Sequence, residues 1–113
     1  MVADMTFPSG PLFDRKHLDR YTGGDEALTA ELLGLMREQA RRCIGLMADA
    51  HDLTAWQTAT HTLKGAARGV GAFALADLCE AAENQPETAW EGARLAIEQC
   101  FAETESAFTA AGV

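Results

Sequence analysis

The stretch His61-Thr62-Leu63-Lys64-Gly65-Ala66-Ala67-Arg68 puts an imidazole, two cations and a glycine within about two helical turns. Counted from His61, Lys64 lies at i+3, Gly65 at i+4, Arg68 at i+7 and Gln57 at i−4. In a helix all five share one face. A neutral imidazole nitrogen is a competent nucleophile near pH 7. Lys64 and Arg68 beside it can neutralise the oxygens of an arriving phosphoryl group. Gly65 costs helix stability but leaves clearance one turn from the ring, where a partner could bring its own reactive group close. This collection of side chains suits phosphoryl chemistry.

The elements that must carry this face are all helical. Alanine, leucine and glutamate abound, no alternating β-type stretch occurs, and no proline interrupts the chain between Pro11 and Pro86. Asp14 can cap a short helix that runs through His17 and Leu18 to about Tyr21, and Gly23-Gly24 ends it. Asp25 then caps a helix over about Glu26–Ala50, with Leu28, Leu32, Leu35, Met36, Cys43 and Met47 near one stripe. Asp52 caps the third helix. There Leu53, Trp56, Thr60, Leu63, Ala67 and Val70 recur at the alternating spacing of three and four that marks a core-facing seam. His61 is one residue past Thr60, about 100° around the helix and so off that seam, near the solvent edge.

Gly69 and Gly71 mark the turn into a fourth helix, roughly Ala72–Asn84, which is apolar around most of its girth. Pro86 restarts the chain. The last helix carries Trp90, Ala93, Ile97, Phe101, Thr104 and Phe108 down one side. The expected architecture is an all-α, antiparallel four-helix bundle over residues 12–113 with a short additional N-terminal helix, preceded by a loose arm over residues 1–11.

If the third and fourth helices fold back around Gly69–Ala72, facing residues have numbers that sum to roughly 140–144. His61 then faces the stretch from Cys79 through Glu83. Glu83, at the far end of that window, could accept a hydrogen bond from one ring nitrogen and leave the other free to attack. Glu80, nearly one turn earlier, is the competing carboxylate.

Each of these residues also has a plain structural reading. Lys64 and Arg68 could be solvated charges, Gly65 a site of close helix packing, and Glu83 a surface acid. Trp56, Trp90 and Phe101 read as core, and His17 and His51 as surface or cap residues.

Composition excludes several other classes. The chain has 113 residues with 17 acids against 9 Lys and Arg, a net charge of −8. Nucleic acid and anionic membrane surfaces are unsuitable partners for such a charge. No apolar run approaches the ~20 residues of a membrane span, and no secretory signal is visible. Cys43, Cys79 and Cys100 form no CxxC and are odd in number, against a disulfide framework or a zinc site and in keeping with a reducing cytoplasm. No nucleotide-binding loop and no paired ExxH metal motif occurs, so neither a kinase activity of its own, nor a bound metal, nor a cofactor is expected.

Residues 61–83, HTLKGAARGVGAFALADLCEAAE, resemble the signature of histidine-containing phosphotransfer (HPt) domains, approximately H-x-L-K-G-x-x-x-x-x-G-A-x-x-L-x-x-x-C-x-x-x-E. The match falls at His61, Leu63, Lys64, Gly65, Gly71, Ala72, Leu75, Cys79 and Glu83. Gly23-Gly24-Asp25-Glu26, followed by Leu28, Leu32 and Leu33, resembles the start of that family's second helix, and the likeness covers about residues 14–108. The resemblance implies a phosphorelay intermediate. His61 would accept a phosphoryl group from the aspartyl-phosphate of a receiver domain, in a response regulator or a hybrid histidine kinase, and pass it to another receiver. Any magnesium would belong to the receiver. Lys64 and Gly65 take the family's lysine and glycine positions, and a glutamate at the position of Glu83 is similar to the phosphotransfer domain of the chemotaxis kinase, where it orients the histidine.

The resulting expectation is a cytoplasmic, monomeric phosphocarrier. His61 is the phosphorylated residue, Lys64 and Gly65 assist directly, and Glu83, Arg68 and Gln57 are accessory. An apolar rim near His61, with Leu18, is the expected docking patch. The alternative is a non-catalytic helical adaptor that binds a receiver or kinase without phosphoryl exchange. A third form of the first reading is a phosphotransfer module of a larger kinase.

Overall fold

Three aspartates start three helices as their positions demand. Asp14 accepts hydrogen bonds from the backbone N–H groups of Lys16 and His17, Asp25 from that of Leu28, and Asp52 from that of Ala55. Each satisfies donors that the first turn of a helix leaves open. The computed structural model describes residues 12–113, and the arm expected over residues 1–11 lies outside them. The elements are α1 (Arg15–Thr22), α2 (Glu26–Ala48), α3 (Leu53–Gly69), α4 (Phe73–Ala82), a single 3-10 turn (Glu87–Ala89) and α5 (Trp90–Ala110). There is no strand among the described residues, and no described helix is long and apolar enough to cross a membrane.

Helices α2–α5 close a ring of contacts, α2 on α3, α3 on α4, α4 on α5 and α5 back on α2, while α1 leans on α2. Short connections make consecutive helices antiparallel, so the expected four-helix bundle with an extra N-terminal helix is the observed fold. The seam of α3 is buried at Trp56, Thr60, Leu63, Ala67 and Val70, and the six residues predicted along α5 all face inward. Burying a leucine such as Leu63 or Leu75 stabilises the fold by about 1.5–3 kcal/mol relative to exposure. Thr29, Thr60 and Thr104 enter this core without cost to their hydroxyls, which donate to Asp25 O (2.8 Å), Trp56 O (3.0 Å) and Cys100 O (2.7 Å).

Three expectations need correction. The stripe expected along α2 is buried at Met36, Cys43 and Met47 but not at its three leucines. The buried residues of α2 are Thr29, Leu33, Met36, Ala40, Cys43 and Met47, whereas Leu28 and Leu35 are exposed and Leu32 is half-buried. A small Ala40 and a self-satisfied Thr29 sit on the true inner face, so counting leucines alone misplaces it. Leu53, at the first position of α3, lies past the packed core and is exposed. His17 is not a surface residue. It is half-buried, its ring stands edge-on to Phe73 with centroids 5.2 Å apart, and its Nε2 is enclosed without a partner.

The three cysteines are buried free thiols. Burial pushes Cys79 up to about 12 and Cys100 up to about 11, so both are packing groups rather than nucleophiles or ligands.

α1 is fastened where α3 turns into α4. Asp14 N donates to Gly71 O (2.8 Å), and Gly71 itself has φ +82°, with Ala72 N reaching back to Ala67 O (2.8 Å) to close the end of α3. A Cβ at position 71 would come within 2.8 Å of Asp14 O and 3.3 Å of the His17 Cβ. Gly71→Ala should therefore lower the unfolding free energy by about 2 kcal/mol or more, from the left-handed backbone and the clash together. Urea unfolding checks this, and an unchanged midpoint would contradict the assigned role of this turn.

Candidate functional site

His61 sits in the third turn of α3 with its side chain 72% exposed. The cap at Asp52 fixes where α3 begins, and the buried residues on either side, Thr60 and Leu63, fix its rotation. Together they turn position 61 outward.

The carboxylate nearest this ring is that of Glu83. Its Oε1 lies 3.4 Å from His61 Nδ1, long for a hydrogen bond, and 2.5 Å from Lys64 Nζ. Glu80 lies elsewhere: it pairs with Arg68 at 3.1 Å and stands 3.9 Å from Lys64. The fold-back number rule thus brings both candidate acids to α3, with Glu83 at the imidazole and Glu80 one turn along.

The Lys64 side chain is 12% exposed and the Glu83 side chain 19%, so this pair is shielded from water. Burial by itself would raise the Glu83 carboxyl. The hydrogen bond and charge of Lys64, followed by those of His61, outweigh it and hold Glu83 below the ordinary glutamate value. A proton on Nδ1 would face this carboxylate, the arrangement that keeps the Nε2 lone pair available.

Gln57 reaches across to the end of α4, where its Nε2 donates to Asn84 Oδ1 (2.8 Å). Gln57, Thr58, His61, Thr62 and Glu83 line an open cleft of about 410 Å³ over the imidazole. At Gly65 an added Cβ would meet nothing within 4 Å. The chain's own packing therefore gives no reason for glycine there, and the space it leaves opens outward beside His61. Arg68 is half-exposed at 43% and lies one turn beyond.

Leu18 is fully buried and cannot contribute to a docking patch. A shallow apolar groove lies instead between α2 and α3, lined by Leu32 and Leu35 with Ala66 of α3 and Val70 just past its end. With Leu33 and Met36 facing the core, Leu32 is left half-buried at its edge and Leu35 exposed. His51 is exposed in the α2–α3 connection, away from the cleft. Among the described residues no group of His, Cys, Asp and Glu is arranged to hold a metal ion.

Sequence reasoning missed Asn84, although the fold-back rule pairs it with Gln57. It also missed the hydrogen bond from Trp56 Nε1 to Ala82 O (2.8 Å), which ties α3 to the end of α4 from inside the core.

The family model for the Hpt domain matches residues 29–107. Among solved structures, the crystal structure of the histidine phosphotransferase ShpA from Caulobacter crescentus is similar, with 35% sequence identity, a TM-score of 0.64, and coverage of 85% of this chain and 89% of that one. A search of curated proteins gives no significant match. The matched region holds His61, Lys64, Gly65 and Glu83 together with helices α3 and α4 entire and nearly all of α2 and α5. The chain belongs to the Hpt domain family.

Proposed function

We propose that this chain carries phosphoryl groups between receiver domains of a phosphorelay, with His61 as the carrier. The observation that supports this most is an exposed imidazole that lines an open cleft and whose Nδ1 faces the Glu83 carboxylate. In the forward step Nε2 attacks the phosphorus of a receiver's aspartyl-phosphate. The N–P bond forms, the acyl P–O bond breaks, and the aspartate carboxylate leaves. The ring keeps its Nδ1 proton and becomes cationic, and the Glu83 carboxylate faces that charge as it develops. The reverse step delivers the group to a second receiver aspartate.

Lys64 lies between Glu83 and the incoming phosphoryl oxygens and can share its charge with both. Arg68 and Gln57 flank the cleft as accessory donors. Gly65 lets the receiver's reactive edge approach. The groove of Leu32, Leu35, Ala66 and Val70 gives the receiver an apolar foothold, and such a contact belongs to the small, transient class below about 1,200 Å². The carrier acts as a cytoplasmic monomer and needs no cofactor of its own, since any magnesium sits in the receiver. The exposed imidazole beside a carboxylate and a lysine favours this reading over an adaptor that binds receivers without exchange.

The direct test is incubation with a receiver labelled on its aspartate. The wild type should take up an acid-labile, base-stable label and His61→Gln none; label retained in that variant would remove His61 from the role. Gly65→Leu should keep the fold and raise helix stability by up to about 1 kcal/mol, yet slow transfer at least tenfold, as about 1.4 kcal/mol of lost approach would. Equal transfer rates would show that clearance at position 65 is not used. A pH series examines Glu83. Its folded-state pKa is depressed, so its stabilising contribution is complete above the unfolded value of about 4.5 and disappears as pH falls through the folded value. The difference in melting temperature between wild type and Glu83→Gln should be flat above about pH 5 and shrink in acid. A difference unchanged down to pH 3 would contradict the Lys64–Glu83 pairing.

A further inference from the structure

The contact between Glu83 and His61 depends on a short piece of backbone that has no conventional helix stop. α4 ends at Ala82 without a left-handed glycine and without a basic residue in its last turn, and Glu83 itself stays near helical angles at φ −52°. The last carbonyls of a helix lack intrahelical partners and must find others. Here one tryptophan serves the last carbonyl of α4 and a second serves the turn that follows it. Trp56 Nε1 donates to Ala82 O (2.8 Å) and Trp90 Nε1 donates to Gln85 O (2.9 Å). The two rings lie flat against each other, with centroids 4.9 Å apart and planes 5° from parallel. Trp56 is fully buried and Trp90 nearly so.

The two carbonyls that receive these bonds bracket Glu83 and Asn84. Both bracketed residues turn their side chains to α3: Glu83 to His61 and Lys64, Asn84 to Gln57. Gln85 N also donates to Ala82 O (3.2 Å), so the turn is closed on itself as well as anchored from below.

We propose that Trp56 and Trp90 are positioning residues for phosphoryl transfer, a stacked pair whose indole N–H groups hold the 82–85 turn and so keep the Glu83 carboxylate against His61 Nδ1. This rests on the phosphotransfer reading of His61 given above. The leverage comes from distance. At 3.4 Å the Glu83–His61 contact lies at the outer limit of a useful hydrogen bond, so a recoil of the turn by a fraction of an ångström breaks it. A rigid buried anchor two layers below the exposed site limits that recoil. Trp56 stands five residues before His61 on the same helix, so one helix carries both the reacting ring and the anchor of its partner.

Phenylalanine tests the N–H while keeping an aromatic ring in the stack. In the wild type, long-range 1H–15N spectra of the His61 ring at neutral pH should show mainly the tautomer protonated at Nδ1. Trp56→Phe should shift the ring toward a mixture and slow phosphoryl uptake from an acyl-phosphate receiver about tenfold. On a Glu83→Ala background the same change should cost less than twofold, because the acceptor it positions is gone. Trp90→Phe is the second arm, should Trp56→Phe fail to fold. It predicts the same direction in both readouts. A wild type without tautomer preference, variants with an unchanged ring and rate, or losses that simply multiply with Glu83→Ala would each overturn the proposal. A tautomer shift in the variants, together with a wild type that accepts no phosphoryl group from any receiver, would uphold the clamp and reject the phosphotransfer reading instead.

Discussion

A carboxylate on one helix reaches an imidazole on the next only if the two helices keep register, and here that register is set by the tight turn at Gly71. The left-handed backbone there ends α3 and reverses the chain at once. The next ten residues of α4 then run back beside α3 with small and apolar side chains inside, so the helices lie close. Register is what places Glu83 rather than Glu80 opposite His61, and a shift of one residue would turn either acid about 100° away. The same glycine seats the start of α1, so the site's geometry and the closure of the bundle's end share one backbone position.

The electrostatics of the site divide by depth. Lys64 and Glu83 are withdrawn from water and bind each other, which keeps the carboxylate ionised and its position narrow. His61 stays outside, where an external group can meet it. Arg68 and Glu80 form a more exposed pair one turn along, where solvent screens their attraction. An acidic chain thus sets cations next to an exposed imidazole without gathering a broad basic surface.

Much of the fold follows from residues that act locally. Asp14, Asp25 and Asp52 are legible as caps because their side chains need only the next three backbone N–H groups. The seam of α3 and the inner side of α5 are legible because their periodicity is strong. α2 was misread because it carries two candidate apolar stripes, and the choice between them belongs to its neighbours α3 and α5 rather than to α2. Leu18 and His17 were misplaced for a related reason: α1 is too short to declare its inner face, and its position is decided by the Gly71 turn and by Phe73.

By itself the sequence determined the helical class, the helix starts, the family resemblance and the face that groups His61 with Lys64, Gly65, Arg68 and Gln57, since all of these depend on spacing along one chain. Only the tertiary structure decided which acid meets the imidazole, that Lys64 is held by Glu83, that Leu28 and Leu35 lie outside, and that Trp56 and Trp90 grip the turn beyond α4. Those facts depend on how helices are rotated against each other. Rotation is settled by the packing of all the inner faces at once, and no single segment encodes it.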